Sequence, residues 1–233
     1  EELKEQLPLL LKEFKKLTPM IVDVNDIGMV RIFQRREDYV RYVGVEQEWS
    51  GGAWMPAQRE LVLFQHQNRE EIMRVIRHEA FHQYLSNATA MLGAAPWFNE
   101  GHACFFEGAR VDVKRGEVRL PEDQERAQIL LENLDTATLL LPLLIQMDYA
   151  EFYDGSDYLR KLKYAMAWGV VYYLQKGVPS ERSAPWGKLI AEYAKWLAVT
   201  RDQQQATLLA FKGIEMEKFQ AAFADFWQHG RVK

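Results

Sequence analysis

Two histidines and a glutamate have a spacing that suits metal binding. They are His78, Glu79 and His82, in the run RHEAFHQ. On a helix, residues four positions apart lie one above the other, so both imidazoles could bind one metal ion. Glu79 would lie about 100° around the helix from His78, within reach of a metal-bound water but not of the metal. Two nitrogen ligands, an adjacent carboxylate and one open coordination position are what zinc-assisted hydrolysis requires.

A helix over residues 69–88 is predicted to position this motif. Asn68 and Glu71 form a capping pair at its start, and no proline or glycine interrupts it. The apolar side chains of Ile72 and Ile76 share a helical face with the motif, so the histidines would emerge from a face that packs on the core. The alternative is an amphipathic helix with two partly exposed histidines and an incidental glutamate.

A third metal ligand is predicted at Glu100. The run APWFNEGHACFFE begins at Ala95, and its proline suits the first turn of a helix that would carry Glu100 in its opening turns. Residues 87–95 are rich in small side chains and are predicted to form a loop that turns the chain back. Glu100 follows His82 by eighteen positions, and a second helix packed against the first could carry it to the metal.

The two motifs together resemble those of the gluzincins, the zinc metallopeptidases whose third ligand is a glutamate. The segment PWFNEGHACFFEG is similar to the W-L-N-E-G-x-A segment of the alanyl-aminopeptidase family. It is closer still to a group of small bacterial peptidase-like domains of the same superfamily. The resemblance is strong across residues 60–108 and looser over residues 25–60 and 155–230.

This resemblance implies that Zn²⁺ is bound by His78, His82 and Glu100, with a water in the fourth position. It also implies that Glu79 takes the proton of that water and that the substrate is a peptide or protein. Related gluzincins place a tyrosine on a later helix, with its hydroxyl aimed at the developing oxyanion, and Tyr164 is the candidate here. The alternative for this tyrosine is a buried residue that only fills the core.

A strand that could bind substrate is predicted before the metal motif. Gly52, Ala53 and Trp54 occupy the position of an edge strand that hydrogen-bonds an extended peptide. They resemble in position the G-A-M-E-N strand of the alanyl-aminopeptidase family, whose acidic residue holds the free amine of the substrate. Met55-Pro56 stands there in this chain, which favours cleavage within a peptide over removal of its first residue. The alternative is a hydrophobic hairpin strand.

Glu107 lies seven positions after Glu100 on the same predicted helical face, so it could orient a ligating histidine. The alternative for Glu107 is an exposed glutamate at the end of a helix. Cys104 is predicted to be a small buried residue. A purely structural zinc site would need four protein ligands, and Cys104 would have to supply the fourth.

The composition narrows the class of protein. The chain has 233 residues, of which 48% are hydrophobic and 12% aromatic, enough for a sizeable core. A net charge of −4 argues against a basic surface that binds nucleic acid. A single cysteine excludes an internal disulfide. No apolar stretch is long enough to span a bilayer. The chain begins without methionine, which favours a removed signal peptide and export over a cytoplasmic location.

An α+β fold is predicted, with a small mixed sheet and the metal helix followed by a mostly helical C-terminal part. We expect a single zincin-like domain over residues 1–233, with a strand-containing metal lobe (1–108) and a helical lobe (109–233) on either side of the metal. The function expected is a zinc-dependent peptidase that favours internal cleavage. The alternative is a catalytically inactive domain that binds zinc or peptide. The predicted elements are an opening helix over 2–17, strands at 30–33 and 60–65, a short helix at 37–42, a hairpin within 110–120, and helices near 122–133, 157–176, 186–199 and 213–228.

Overall fold

The computed structural model describes residues 2–20, 28–48, 50–65, 68–178 and 184–230. The first part of the chain contains both the sheet and the metal motif. Its elements are α1 (Glu2–Leu17), β1 (Met29–Phe33), α2 (Arg36–Val43), β2 (Gly52–Met55), β3 (Glu60–Phe64), α3 (Arg69–Ala88), α4 (Pro96–Glu107), β4 (Arg110–Asp112) and β5 (Glu117–Arg119). The second part is helical in its described residues. Its elements are α5 (Gln124–Glu132), α6 (Leu134–Gln146), α7 (Tyr149–Tyr153), α8 (Asp157–Tyr172), α9 (Leu189–Thr200), α10 (Gln203–Ala210) and α11 (Met216–Asp225).

The sheet has three strands in the order β1-β3-β2. Strand β3 is central and nearly all buried, as its continuous apolar run requires. Strand β1 pairs with it in parallel and β2 pairs with it antiparallel, so that Gly52 faces Leu63 and Met55 faces Glu60. The predicted α+β fold with a small mixed sheet is therefore confirmed, and β2 lies at an edge of the sheet.

Contacts of two glycines give the direction of β2 relative to α3. A Cβ added at Gly52 would lie 2.5 Å from Val75 Cγ1 and 3.2 Å from Glu79 Cγ. A Cβ added at Gly28 would lie 2.5 Å from Gln83 Nε2 and 2.7 Å from the carbonyl oxygen of Arg59. Arg59 precedes Glu60, which pairs with Met55 at the end of β2. The end of β2 therefore lies near the level of Gln83 on α3, whereas its start at Gly52 lies at the level of Val75. Strand β2 and helix α3 thus point the same way.

Helix α4 lies between α3 and α8 and is buried at almost every position. Its alanine, cysteine and aromatic side chains allow this, because few of its polar groups have to reach water. The closest approach to α8 is at Gly101, where an added Cβ would lie 2.5 Å from the carbonyl oxygen of Ala167. One continuous apolar core joins the strand-containing part to the helical part through these helices.

The predicted helices near 122–133, 157–176, 186–199 and 213–228 correspond to α5, α8, α9 and α11. Three further helices, α6, α7 and α10, were not predicted individually. Pro142 lies inside α6 and obscures its helical pattern in the sequence. Within the described segments, no one helix combines the length and apolar content of a membrane span. Helices α5 and α6 have that length and apolar content only when taken together, and they are bent by 98° relative to each other.

Candidate metal centre

Helices α3 and α4 bring three predicted ligands to one point. Glu100 Oε2 lies 3.6 Å from His78 Nε2 and 3.6 Å from His82 Nε2. The two imidazole rings are 4.7 Å apart between centroids, as expected for histidines one helical turn apart. The Glu100 side chain is only 3% exposed, whereas the histidine side chains are 16% and 14% exposed. The three polar atoms therefore meet at the bottom of a site that remains open on the histidine side.

The donor set fits a zinc ion. Two ligand atoms that each lie 2.0–2.2 Å from a tetrahedral ion are separated by about 3.3–3.6 Å, close to the separations here. Glu100 Oε2 is buried and has no hydrogen-bond partner among the described residues. A buried carboxylate oxygen without a partner is costly, and a bound cation would satisfy it. Two imidazoles and a carboxylate would also accept cobalt or manganese, so these residues could hold one of several divalent metals.

Glu107 contacts the ring nitrogen of His78 that points away from Glu100. Its Oε2 lies 3.3 Å from His78 Nδ1, which leaves Nε2 directed towards Glu100. Arg74 donates to Glu107 Oε1 at 2.7 Å, and Arg126 donates to Oε2 at 2.8 Å. Burial alone would raise the pKa of Glu107, but His78 and the two arginines outweigh burial and hold it well below its usual range. Glu107 is therefore a carboxylate at neutral pH and can fix the tautomer of His78.

His82 is held by an amide. Its Nδ1 donates to Asn99 Oδ1 at 2.8 Å, so its Nε2 carries the lone pair that faces Glu100. Asn99 Nδ2 in turn donates to the hydroxyl of Tyr149 at 2.5 Å, and that hydroxyl donates to the carbonyl oxygen of Ala94 at 3.1 Å. This chain fixes the orientation of the Asn99 amide, and through it the ring of His82.

Three tyrosines surround Glu100. Tyr153 donates to Glu100 Oε1 at 2.8 Å, and Tyr164 lies beside Tyr153. Burial first, and then the charge of Glu100, raises the pKa of Tyr149, Tyr153 and Tyr164 above the ordinary tyrosine value. All three therefore keep their hydroxyl protons at neutral pH and can act as donors. Burial would raise the pKa of Glu100 too, but His82, His78 and Tyr153 lower it to about 2, so it remains a carboxylate.

A groove of about 1180 Å³ passes over this centre. One wall is α3 with β2, including Gly52, Ala53 and Trp54, and the other wall is formed by residues of α5, α7 and α8, including Tyr164. Glu79 is 8% exposed. One of its carboxylate oxygens lies within 4.8 Å of an imidazole nitrogen of His78 and of one of His82. The structure therefore brings all the predicted site residues to one groove, with Glu107 behind His78.

Cys104 is buried and belongs to a different grouping. Its Sγ lies within 4.8 Å of a ligand atom of His78 and of one of Glu107. It does not belong to the cluster formed by His78, Glu79 and His82. His102 is also buried and donates through Nδ1 to the carbonyl oxygen of Phe98 at 2.7 Å. His229 is exposed beside Asp225, and His66 lies outside the described residues. Among the described residues, then, Cys104 does not group with His82 as a fourth ligand of a structural zinc site would.

Several site residues were not predicted from the sequence. Tyr149 and Tyr153 lie on the five-residue helix α7, four positions apart and therefore on one face. The signal was present, because Asp148 and Glu151 form a capping box that starts this helix. Asn99 adjoins Glu100 in the sequence, but its bond to His82 depends on how α4 crosses α3. Arg74 and Arg126 meet through their shared partners Glu107 and Asp123, and no local sequence pattern predicts this.

Replacing Glu107 by glutamine should weaken zinc binding about 10- to 100-fold, because His78 loses the carboxylate that orients it. The matched control is Asp123→Asn, which removes the other carboxylate bound by Arg74 and Arg126 but has no contact with His78. Zinc affinity of both variants can be measured by competition with a chelating dye. A zinc affinity of Glu107→Gln equal to that of the wild-type protein would mean that the Glu107–His78 contact does not matter for binding.

Comparison with known proteins adds one finding. Residues 72–184, just under half of the chain, match a family described as a protein of unknown function, DUF1570. The matched segment contains His78, Glu79, His82, Glu100 and Glu107, whereas β2 precedes it. No curated protein and no solved structure matches the chain.

Proposed function

We propose that this protein is a zinc-dependent peptidase of the gluzincin type. The observation that carries the proposal is the partnerless oxygen of Glu100, which lies 3.6 Å from the Nε2 atoms of His78 and His82 beneath an open groove. The adjacent carboxylate of Glu79 and the edge strand β2 complete what hydrolysis of a peptide bond needs. The resemblance of both motifs to gluzincin peptidases supports the same reaction.

His78, His82 and Glu100 would hold the zinc ion. When bound, the ion would lower the pKa of a water and polarise the scissile carbonyl. Glu79 takes the proton of the attacking water and passes it to the leaving amine. Tyr164, whose hydroxyl keeps its proton, is proposed to donate to the developing oxyanion. Tyr153 has a different role, because its hydroxyl is already engaged with Glu100 Oε1 and orients that carboxylate.

The length of the groove favours internal cleavage. Arg74 and Ser86 both line it and lie about 18 Å apart along α3, with His78 and His82 between them. An extended peptide advances about 3.3 Å per residue, so about five residues fit along this length, on both sides of the ligands. A substrate can therefore continue past the site in both directions, as an endopeptidase requires.

The test is hydrolysis of a library of internally quenched peptides by the zinc-loaded full chain, with products identified by mass spectrometry. We expect internal cleavage that a zinc chelator abolishes and that added zinc restores. Stoichiometric zinc without cleavage of any library member would contradict the proposal. The chain would then be a peptidase-like domain that binds zinc or peptide.

A further inference from the structure

The turn after α3 contains two consecutive residues with left-handed backbone conformations. Ala90 has a φ of 50° and Met91 a φ of 65°, although neither is a glycine. Such conformations cost about 1–3 kcal/mol each and persist only where the surrounding structure imposes them. Here Met91 N donates to the carbonyl oxygen of Ser86 at 2.7 Å, and Ser86 Oγ donates to Met91 Sδ at 2.9 Å.

This turn directs a large apolar side chain towards the groove. Met91 is 48% exposed and lines the groove together with Leu85 and Leu92. Because the side chain of Met91 is not packed in the core, it contributes little to the stability of the fold, although its backbone conformation is costly.

The opposite wall at the same end of the groove is also apolar. Strand β2 runs from the level of Val75 towards the level of Gln83, so its last residues lie beside the C-terminal half of α3. These residues, Trp54 and Met55, line the groove, as does Pro56. Met91 and Leu92 therefore lie at the same end of the groove as Trp54, Met55 and Pro56. We name these five residues the apolar end.

The other end of the groove is charged. Arg74, Glu125 and Arg126 line it, and the contacts of Arg74 and Arg126 with Asp123 place the start of α5 beside the N-terminal half of α3. The metal ligands lie between the two ends. The groove is thus polar on one side of the reacting bond and apolar on the other.

We propose that the apolar end is a subsite for an apolar side chain of the bound peptide. From His82 to Ser86 is about 6 Å along α3, which corresponds to about two residues of an extended chain. The side chain would therefore belong to a residue about two positions from the scissile bond. Met91 is its specificity-determining residue for apolar over polar side chains, because its exposed thioether offers an apolar surface that adapts to several shapes. This inference rests on the proposed function for the position of the peptide, but binding alone can test it.

The test measures binding of hexapeptides to the zinc-loaded Glu79→Gln variant, which should cleave them about 10²- to 10⁴-fold more slowly than the wild-type protein. Each peptide carries one leucine or one serine, scanned along an otherwise constant sequence. We expect a leucine at one position to bind at least about tenfold more tightly than serine. Met91→Glu should reduce this ratio to within about threefold, and Met91→Ser is a second variant with the same expected direction. Met29→Glu is the matched control, because Met29 is 59% exposed on β1 and lies outside the groove.

The outcomes separate this inference from the proposed peptidase. A leucine preference that falls in Met91→Glu and persists in Met29→Glu supports the subsite, even if the wild-type protein cleaves nothing and the peptidase proposal fails. A preference that Met91→Glu leaves unchanged overturns the subsite, even if the wild-type protein cleaves peptides. Absence of any peptide binding by the zinc-loaded protein also overturns it.

Discussion

Replacing Glu79 by glutamine should lower the rate of peptide hydrolysis by about 10²- to 10⁴-fold while zinc remains bound. Glutamine has the same shape as glutamate but cannot accept the proton of the attacking water. The three proposed ligands, His78, His82 and Glu100, are untouched by this change. The measurement is kcat/KM on a cleaved peptide, made together with the zinc content of the same preparation.

The matched control for Glu79→Gln is Glu217→Gln, the same chemical change at an exposed position of α11, outside the groove. The control should keep full activity. If Glu79→Gln kept full activity at equal zinc content, Glu79 would not be the general base. Loss of zinc from Glu79→Gln would instead assign this carboxylate to the metal.

Gly101→Ala should destabilise the fold by about 1–3 kcal/mol, although alanine is the better helix former by about 1 kcal/mol. The reason is steric, because the new Cβ would lie 2.5 Å from the carbonyl oxygen of Ala167 and 2.8 Å from Val171 Cγ2. Both contacts belong to α8, and the first is with backbone, which cannot turn aside as a flexible side chain can. Helix α4 would have to shift, and it carries Glu100, so zinc affinity should fall as well.

Gly108→Ala is the matched control for this effect. An added Cβ at Gly108 would meet nothing within 4 Å, and its φ of −79° suits alanine. The free energy of unfolding, measured by urea denaturation, should therefore change by no more than about 0.5 kcal/mol in Gly108→Ala. Equal stability of Gly101→Ala and the wild-type protein would contradict the close packing of α4 on α8.

The parts of the site that depend on helical periodicity could be predicted from the sequence. His78 and His82 share a face because they are four positions apart, and Glu107 shares a face with Glu100 because it is seven positions away. The α+β fold was predictable from local composition, since the strands 30–33 and 60–65 are short runs of mostly apolar residues, among them the β-branched Val30, Ile32 and Val62.

The parts that depend on how helices cross could not be predicted. The bond from His82 to Asn99 and the contact of Tyr153 with Glu100 join residues that are 17 and 53 positions apart. Each requires a particular orientation of α4 relative to α3 or α7, which packing of the whole core determines. The strained turn at Met91 was equally hidden, because a positive φ at a non-glycine residue leaves no mark in the sequence.

The most direct test of the metal centre is the zinc content of the purified full chain, compared with that of Glu100→Gln. Both proteins would be incubated with zinc, freed of unbound metal by gel filtration and analysed for elemental zinc, with circular dichroism to confirm that the variant is folded. We expect about one zinc per chain in the wild-type protein and a large loss in folded Glu100→Gln, because glutamine keeps the shape of the ligand and removes its charge. Equal zinc in the two proteins, or no zinc in the wild-type protein, would contradict a site formed by His78, His82 and Glu100.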